Sequence, residues 1–67
     1  MIEIVLNGKG RSVDSGLTLA ALITGLELDS SRVAVERNRQ VVPRSRFASE
    51  LVKAGDRIEI VTLVGGG

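Results

Sequence analysis

Ile2-Glu3-Ile4-Val5-Leu6-Asn7-Gly8 opens the chain and decides its architecture. Ile2, Ile4 and Leu6 alternate with Glu3 and Val5, the period of a strand with one buried face. Asn7-Gly8 then calls for a two-residue reversal, because a type I′ hairpin turn needs positive φ at both central positions. The return strand is expected over Lys9–Val13, with Gly10 weakening it and marking a candidate bulge. Asp14-Ser15-Gly16 reads as a turn. Thr18 fits a helix N-cap, its hydroxyl able to accept a free backbone N–H, and Leu17 is placed to pack on Leu22 as a hydrophobic staple. Leu19, Leu22, Ile23 and Leu26 keep the i, i+3, i+4, i+7 spacing of an amphipathic helix. Gly25, late in that pattern, is expected to help end it. Ala20 and Ala21 are small and the polar side carries almost no charge, so the helix should be short and wrapped by the rest of the fold.

Beyond the helix, residues 27–32 read as a loop anchored by Leu28. Val33-Ala34-Val35-Glu36-Arg37 is a third strand and Asn38-Arg39-Gln40 a turn. Val41-Val42 is a short fourth strand, stopped by Pro43, which lacks a backbone donor. Residues 45–49 can form one helical turn with Phe47 in the core. After the turn at Ala54-Gly55-Asp56, residues 57–64 form the last strand, with Ile58 and Ile60 inward and Arg57 and Glu59 outward. The order is β–β–α–β–(β)–β. This predicts an α+β fold of the β-grasp (ubiquitin-like) type: a mixed sheet of four to five strands with one helix packed across it. The last strand should lie beside the first and parallel to it, both in the interior of the sheet, which suits their aliphatic character. Residues 1–64 make one domain and residues 65–67 a flexible tail.

Composition narrows the chemistry. A core built from 67 residues supplies no more than about 3–5 kcal/mol of net stability, and with no Cys and no His neither a disulfide nor a typical zinc site can add to it. The same absences remove thiol nucleophiles and histidine bases, and so small a chain has little room for a substrate pocket of about 300 Å³ or more. An autonomous enzyme is therefore not expected, nor a bound metal or cofactor. A net charge of +1 gives no polyanion-binding signal. Phe47 is the only aromatic residue, which argues against the base-stacking platforms of nucleic-acid binders. The N-terminus has no signal-peptide pattern and no apolar run approaches a membrane span. The expectation is a cytoplasmic protein with no nucleic-acid or membrane partner.

The last strand runs into Gly65-Gly66-Gly67. At an average glycine frequency of about 7%, three in a row at a given place is a chance event of roughly one in three thousand, so the triplet invites a functional reading, although glycine-rich ends are also commonly mere frayed termini. Without a Cβ, glycine can thread a channel too narrow for other residues and adopt φ values they avoid. A terminal glycine also leaves its carboxyl carbon unhindered. A carboxylate is a poor electrophile, but a partner enzyme using ATP can convert it to an acyl-adenylate, which a sulfur or amine nucleophile then attacks. Gly67 is the candidate for that modification, with Gly65 and Gly66 as the tail that delivers it.

A recognition surface should adjoin such a tail. Val61 and Leu63 alternate with the inward Ile58 and Ile60, which places aliphatic groups on the outer face, with Val64 next to the glycines. An exposed aliphatic patch usually marks a partner site. Arg32, Arg37, Arg39, Arg44 and Arg46 fall close together, opposed there only by Glu36. Arginine favours interface ion pairs and phosphate contacts, and a solvated arginine-rich face is the equal alternative. Val61, Leu63, Val64, Arg37 and Arg39 are the candidate partner-binding residues.

Several stretches, in order, resemble a known family: Ile4-Val5-Leu6-Asn7-Gly8, Val35-Glu36-Arg37-Asn38, Val42-Pro43-Arg44, and the run from Gly55-Asp56-Arg57-Ile58-Glu59-Ile60-Val61 to Val64-Gly65-Gly66-Gly67. Together they resemble the ThiS-like sulfur carriers of bacterial thiazole and thiamin synthesis. The resemblance spans nearly the whole chain. It implies that a ThiF-like adenylyltransferase activates the Gly67 carboxylate with ATP and magnesium, and that sulfur from a cysteine-desulfurase route converts it to a thiocarboxylate. The carrier would then deliver that sulfur to thiazole synthase. The family end is two glycines, matched by Gly66 and Gly67, and Gly65 extends it. The small subunit of molybdopterin synthase, a ubiquitin-like protein modifier and a β-grasp interaction module with incidental glycines remain alternatives. A proline-containing approach to the glycines, expected of the first, is absent from Thr62-Leu63-Val64.

Overall fold

The computed structural model describes residues 1–63. β1 (Ile2–Leu6) and β2 (Lys9–Val13) form the opening hairpin, and α1 (Leu19–Gly25) follows. A 3₁₀ turn at Ser30–Arg32 leads into β3 (Val33–Arg37), β4 (Gln40–Val42) comes next, and a second 3₁₀ turn at Arg44–Arg46 precedes β5 (Arg57–Thr62). The strands form one sheet in the order β2-β1-β5-β3-β4. β1 and β5 run parallel and every other neighbour is antiparallel. This is the β-grasp, with one helix on one face of a five-stranded mixed sheet. Ile4, Val35 and Ile58 from the sheet meet Leu19 and Ile23 from the helix at the fully buried centre, and Phe47 is buried with them.

Asn7 and Gly8 have φ of 50° and 82°, the positive pair a type I′ turn requires. Asn7 does more than turn the chain. The β1–β5 ladder runs through Val5 N–H to Asp56 C=O and Asn7 N–H to Ile58 C=O, both 2.9 Å. Where the backbone of β1 then veers into its hairpin, the Asn7 carboxamide takes over. Its Oδ1 accepts from Ile60 N–H at 2.8 Å and its Nδ2 donates to Ile60 C=O at 3.2 Å. On the other side of β5, Asn38 at the β3–β4 turn acts similarly. Its Oδ1 accepts from Arg57 N–H at 2.9 Å, its own N–H donates to Arg57 C=O at 2.8 Å, and its Nδ2 donates to Asp56 Oδ1. β5 is thus clasped by side chains from the turns on both flanks. Asn38 and Arg39 also both have positive φ, 53° and 71°, so this second hairpin makes the same primed turn without a glycine.

Thr18 caps α1 as its sequence position implies, its Oγ1 accepting from Ala21 N–H at 3.1 Å. The segment after β4 completes the cap: Leu19 N–H donates to Glu50 C=O and Ala20 N–H to Phe47 C=O, each at 2.9 Å. At seven residues, α1 is too short to hold itself together in water; these outside carbonyls and its buried face define it. Leu17 is half-buried against the core and faces the same groove as Leu22.

Four expectations need correction. Gly10 marks no bulge: it pairs with Val5 in an uninterrupted one-to-one register from Ile2↔Val13 to Leu6↔Lys9. Gly25 does not supply the helix-ending conformation; it is the last helical residue, and the left-handed residue is Glu27, at φ 61°. The bonds from Glu27 N–H to Thr24 C=O and from Leu28 N–H to Ile23 C=O make a Schellman-type stop. The chain reverses where Leu28 can return to the core, whichever residue stands there. The helical turn expected at 45–49 starts one residue earlier, as a 3₁₀ turn at Arg44–Arg46 directly after Pro43, and continues to Glu50, whose N–H donates to Arg46 C=O at 2.9 Å. β5 ends at Thr62, short of the expected 64, and residues 64–67 lie outside the described residues.

Candidate functional site

β5 has two faces. Ile58 and Ile60 point into the core, while Arg57, Glu59 and Val61 point away from the helix. The register extends this outer face across the neighbouring strands, with Ala34 opposite Val61 and Glu36 opposite Glu59 on β3, and Val41 of β4 opposite Glu36. Val61 is 58% exposed, Val41 73% and Leu63 48%. A shallow groove of about 270 Å³ runs over Ala34, Val41 and Val61 and is walled by Glu36 and Glu59. Val61 and Leu63, expected on an outer aliphatic patch, are therefore exposed, and Val41 joins Val61 from two strands away. Its signal in the sequence was parity: Val42 must face inward to pair with Val35 on the buried side, which turns Val41 outward.

The exit of β5 is held fixed. Val33 pairs with Thr62, and Leu63 N–H donates to Arg32 C=O at 2.7 Å. The turn at this exit is braced by Asp29, whose Oδ1 accepts from Ser31 N–H at 2.9 Å and from Ser31 Oγ at 2.7 Å. These bonds, with smaller help from Arg32 and Arg44, hold the Asp29 carboxyl below its ordinary value. Arg44 Nε donates to Ser30 C=O at 3.2 Å, so Arg44 reaches the same turn whose Arg32 C=O receives Leu63 N–H.

Arg37 and Arg39 are elsewhere. Arg37 pairs with Ile58 and Val33 with Thr62, so Arg37 lies four strand positions from the exit, about 13 Å at the usual rise per residue, and Arg39 lies beyond it in the β3–β4 turn. Arg37 also faces the helix side. Its guanidinium binds Glu50, donates to Leu51 C=O at 2.8 Å and lies 3.9 Å from Asp56, which ties β3 to the segment before β5. Arg39 is exposed in the turn. The structure brings together Val61 and Leu63 and separates them from Arg37 and Arg39; Val64, Gly65, Gly66 and Gly67 lie outside the described residues. Among the described residues, no three His, Cys, Asp or Glu side chains gather as a metal site. No helix among them is long and apolar enough to cross a membrane.

A β-grasp with an exposed aliphatic strip beside its last strand is a ubiquitin-like protein in class. The chain belongs to the ThiS family, whose model matches residues 4–67. It is 38% identical over 64 residues to the sulfur carrier protein ThiS of Bacillus subtilis, covering 92% of this chain and 96% of that one. It is 44% identical over 66 residues to a thiazole synthase of Paramagnetospirillum magneticum, covering 98% of this chain but only 20% of that longer protein. A second thiazole synthase, from Magnetococcus marinus, is also matched over 20% of its length, so the chain spans about a fifth of these relatives. Among solved structures, the crystal structure of the thiamine biosynthesis protein ThiS from Geobacter metallireducens superimposes with a TM-score of 0.82 at 33% identity, covering 98% of this chain and all of that one.

Proposed function

We propose that this protein is a sulfur carrier of thiamin synthesis: it takes sulfur onto the carboxylate of Gly67 and hands it to the enzyme that builds the thiazole ring. The observation that carries this reading is the fixed exit of β5, with Leu63 bonded to Arg32 directly ahead of a segment containing Gly65-Gly66-Gly67, in a chain of the ThiS family. A rigid strand end followed by residues without side chains suits a terminus that must enter another protein's active site. The chemistry belongs to partners in the cytoplasm. A ThiF-like adenylyltransferase, using ATP and magnesium, would let a Gly67 carboxylate oxygen attack the α-phosphorus and expel pyrophosphate. A persulfide supplied by a cysteine-desulfurase route would then add to the acyl carbon and displace AMP, and a second thiol attacking the resulting acyl disulfide would release the thiocarboxylate and leave a disulfide on the donor. The chain is carrier and co-substrate, not catalyst. Thiazole synthase as the consumer is supported by the longer relatives of that name, which contain a segment similar to this chain.

Intact mass spectrometry tests the reading. After incubation with the adenylyltransferase, ATP, magnesium and a sulfur donor, one oxygen should be replaced by sulfur, mapped to the C-terminal peptide. If the carboxylate alone remains under these conditions, the carrier reading fails. Gly67→Ala should slow activation without changing the melting temperature. Leu63→Asp, on the exposed strand end, should weaken binding to the adenylyltransferase, and an unchanged affinity would remove Leu63 from the docking surface.

A further inference from the structure

The outer face carries a charge arrangement that the carrier reading does not use. Glu36 and Glu59 stand directly opposite one another on β3 and β5, which sets their Cβ atoms about 4.5–5.5 Å apart, an arrangement of like charges that costs stability. The nearest candidate for relief, Arg57, lies two residues before Glu59 on the same face. Yet the ion pairs among the described residues are Arg37 with Glu50, Arg37 with Asp56, and Arg46 with Glu50; neither Glu36 nor Glu59 takes part. Both wall the groove floored by Ala34, Val41 and Val61. Arg37, next to Glu36 in the chain, turns to the opposite face. In a protein of net charge +1, the exposed apolar surface is thus bordered by two unneutralised carboxylates.

We infer that this groove receives an arginine side chain of a docking partner, its guanidinium bridging Glu36 and Glu59 and its aliphatic stem lying on Val41 and Val61. The inference rests on the docking role of the patch and specifies the chemistry of what docks there. A guanidinium suits the site better than an ammonium because its planar array of five N–H donors can serve two carboxylates at once, while its methylenes cover apolar surface. Bringing a cation between the two glutamates also removes the repulsion each imposes on the other. The like-charge pair is therefore costly in the free protein and favourable in the complex.

The test measures binding of the carrier to the adenylyltransferase and to thiazole synthase, at low and high salt, for Glu36→Gln/Glu59→Gln and, separately, Val61→Asp. The glutamine variant should melt at a higher temperature than the parent. It should bind one of the two enzymes about tenfold more weakly at low salt, with a flattened salt dependence, and mutating one interfacial arginine of that enzyme should add no further loss. If Val61→Asp weakens binding and the glutamine variant does not, the patch docks but the arginine inference is overturned. If neither change weakens binding to either enzyme, the docking role of the patch fails as well. Sedimentation of the free chain completes the test: a dimer that the glutamine variant dissolves would assign the groove to a second copy and overturn the inference.

Discussion

Replacing Asn7 by Ala tests how the turn of the first hairpin holds the last strand. Two hydrogen bonds are removed, Ile60 N–H to Oδ1 at 2.8 Å and Nδ2 to Ile60 C=O at 3.2 Å. Each such bond contributes about 0.5–1.5 kcal/mol net. Alanine must also adopt the φ of 50° that Asn7 holds, and a residue with a Cβ and no polar side chain pays about 1–2 kcal/mol there. Together the loss is about 2–5 kcal/mol, comparable to the roughly 3–5 kcal/mol available to a domain of this size. At about 4–8 °C per kcal/mol, the melting temperature should fall by about 8 °C or more. Asn7→Gly separates the two effects: it relaxes the backbone but still lacks the carboxamide, and should cost only about 1–2 kcal/mol. Asn7→Asp keeps the shape and the acceptor but sets a carboxylate oxygen against Ile60 C=O, so its stability should recover as acid protonates it. Thermal and urea unfolding followed by circular dichroism give all three values. If Asn7→Ala unfolds within about 0.5 kcal/mol of the parent, the carboxamide does not extend the β1–β5 ladder in solution.

Glu27→Gly should stabilise the protein by about 0.5–1 kcal/mol, because Glu27 stands at φ 61° in the stop after α1 where glycine is unstrained; a lower melting temperature would mean that the Glu27 side chain makes a compensating contact. Arg37→Met should cost about 1–3 kcal/mol by removing charged hydrogen bonds to Glu50 and Leu51, whereas Arg39→Ala should leave unfolding by urea unchanged. Asp29 gives a pH signature. Its carboxyl is held below the ordinary value chiefly by the Ser31 hydroxyl and backbone N–H, so its contribution is complete above the unfolded-state value and is lost as pH falls through the lowered folded one. Asp29→Asn should flatten that part of the acid limb, and an unchanged slope between the two variants would remove Asp29 from it.

Much of the fold was legible because its decisive signals are local. The alternation of Ile2, Ile4 and Leu6, the Asn7-Gly8 pair, the Thr18 cap and the alternation of Ile58 and Ile60 each follow from a few neighbouring residues. What stayed hidden depends on how strands register against one another. Nothing local says that Glu36 faces Glu59, that Val41 shares a surface with Val61, or that Asn7 reaches a residue 53 positions away. Arg37 looked like a surface cation, yet the parity of β3 puts it on the buried side with Val33 and Val35, where Glu50 and Asp56 engage it. Glu27 was equally invisible, because a left-handed position normally advertises itself by glycine and here is forced by the return of Leu28 to the core.

The position of these clasps bears on how a carrier of this size can work. Asn38 holds β5 at Arg57, Asn7 holds it at Ile60, and Arg32 holds the chain at Leu63. The fastenings fall at nearly even intervals along the one strand that both displays Val61 and leads toward the glycines. A short strand on a core with little stability to spare would otherwise fray from its end, and any uncertainty at Leu63 would be passed on to Gly67. Four residues follow Leu63 and reach at most about 14 Å when extended. On the proposed function, a partner docked on the outer face would have to receive the Gly67 carboxylate within that radius of a fixed point. Adding residues between Leu63 and Gly65 should slow transfer of sulfur while leaving docking affinity unchanged. If single-turnover transfer keeps its rate with such an insertion, the fixed exit of β5 has no part in delivery.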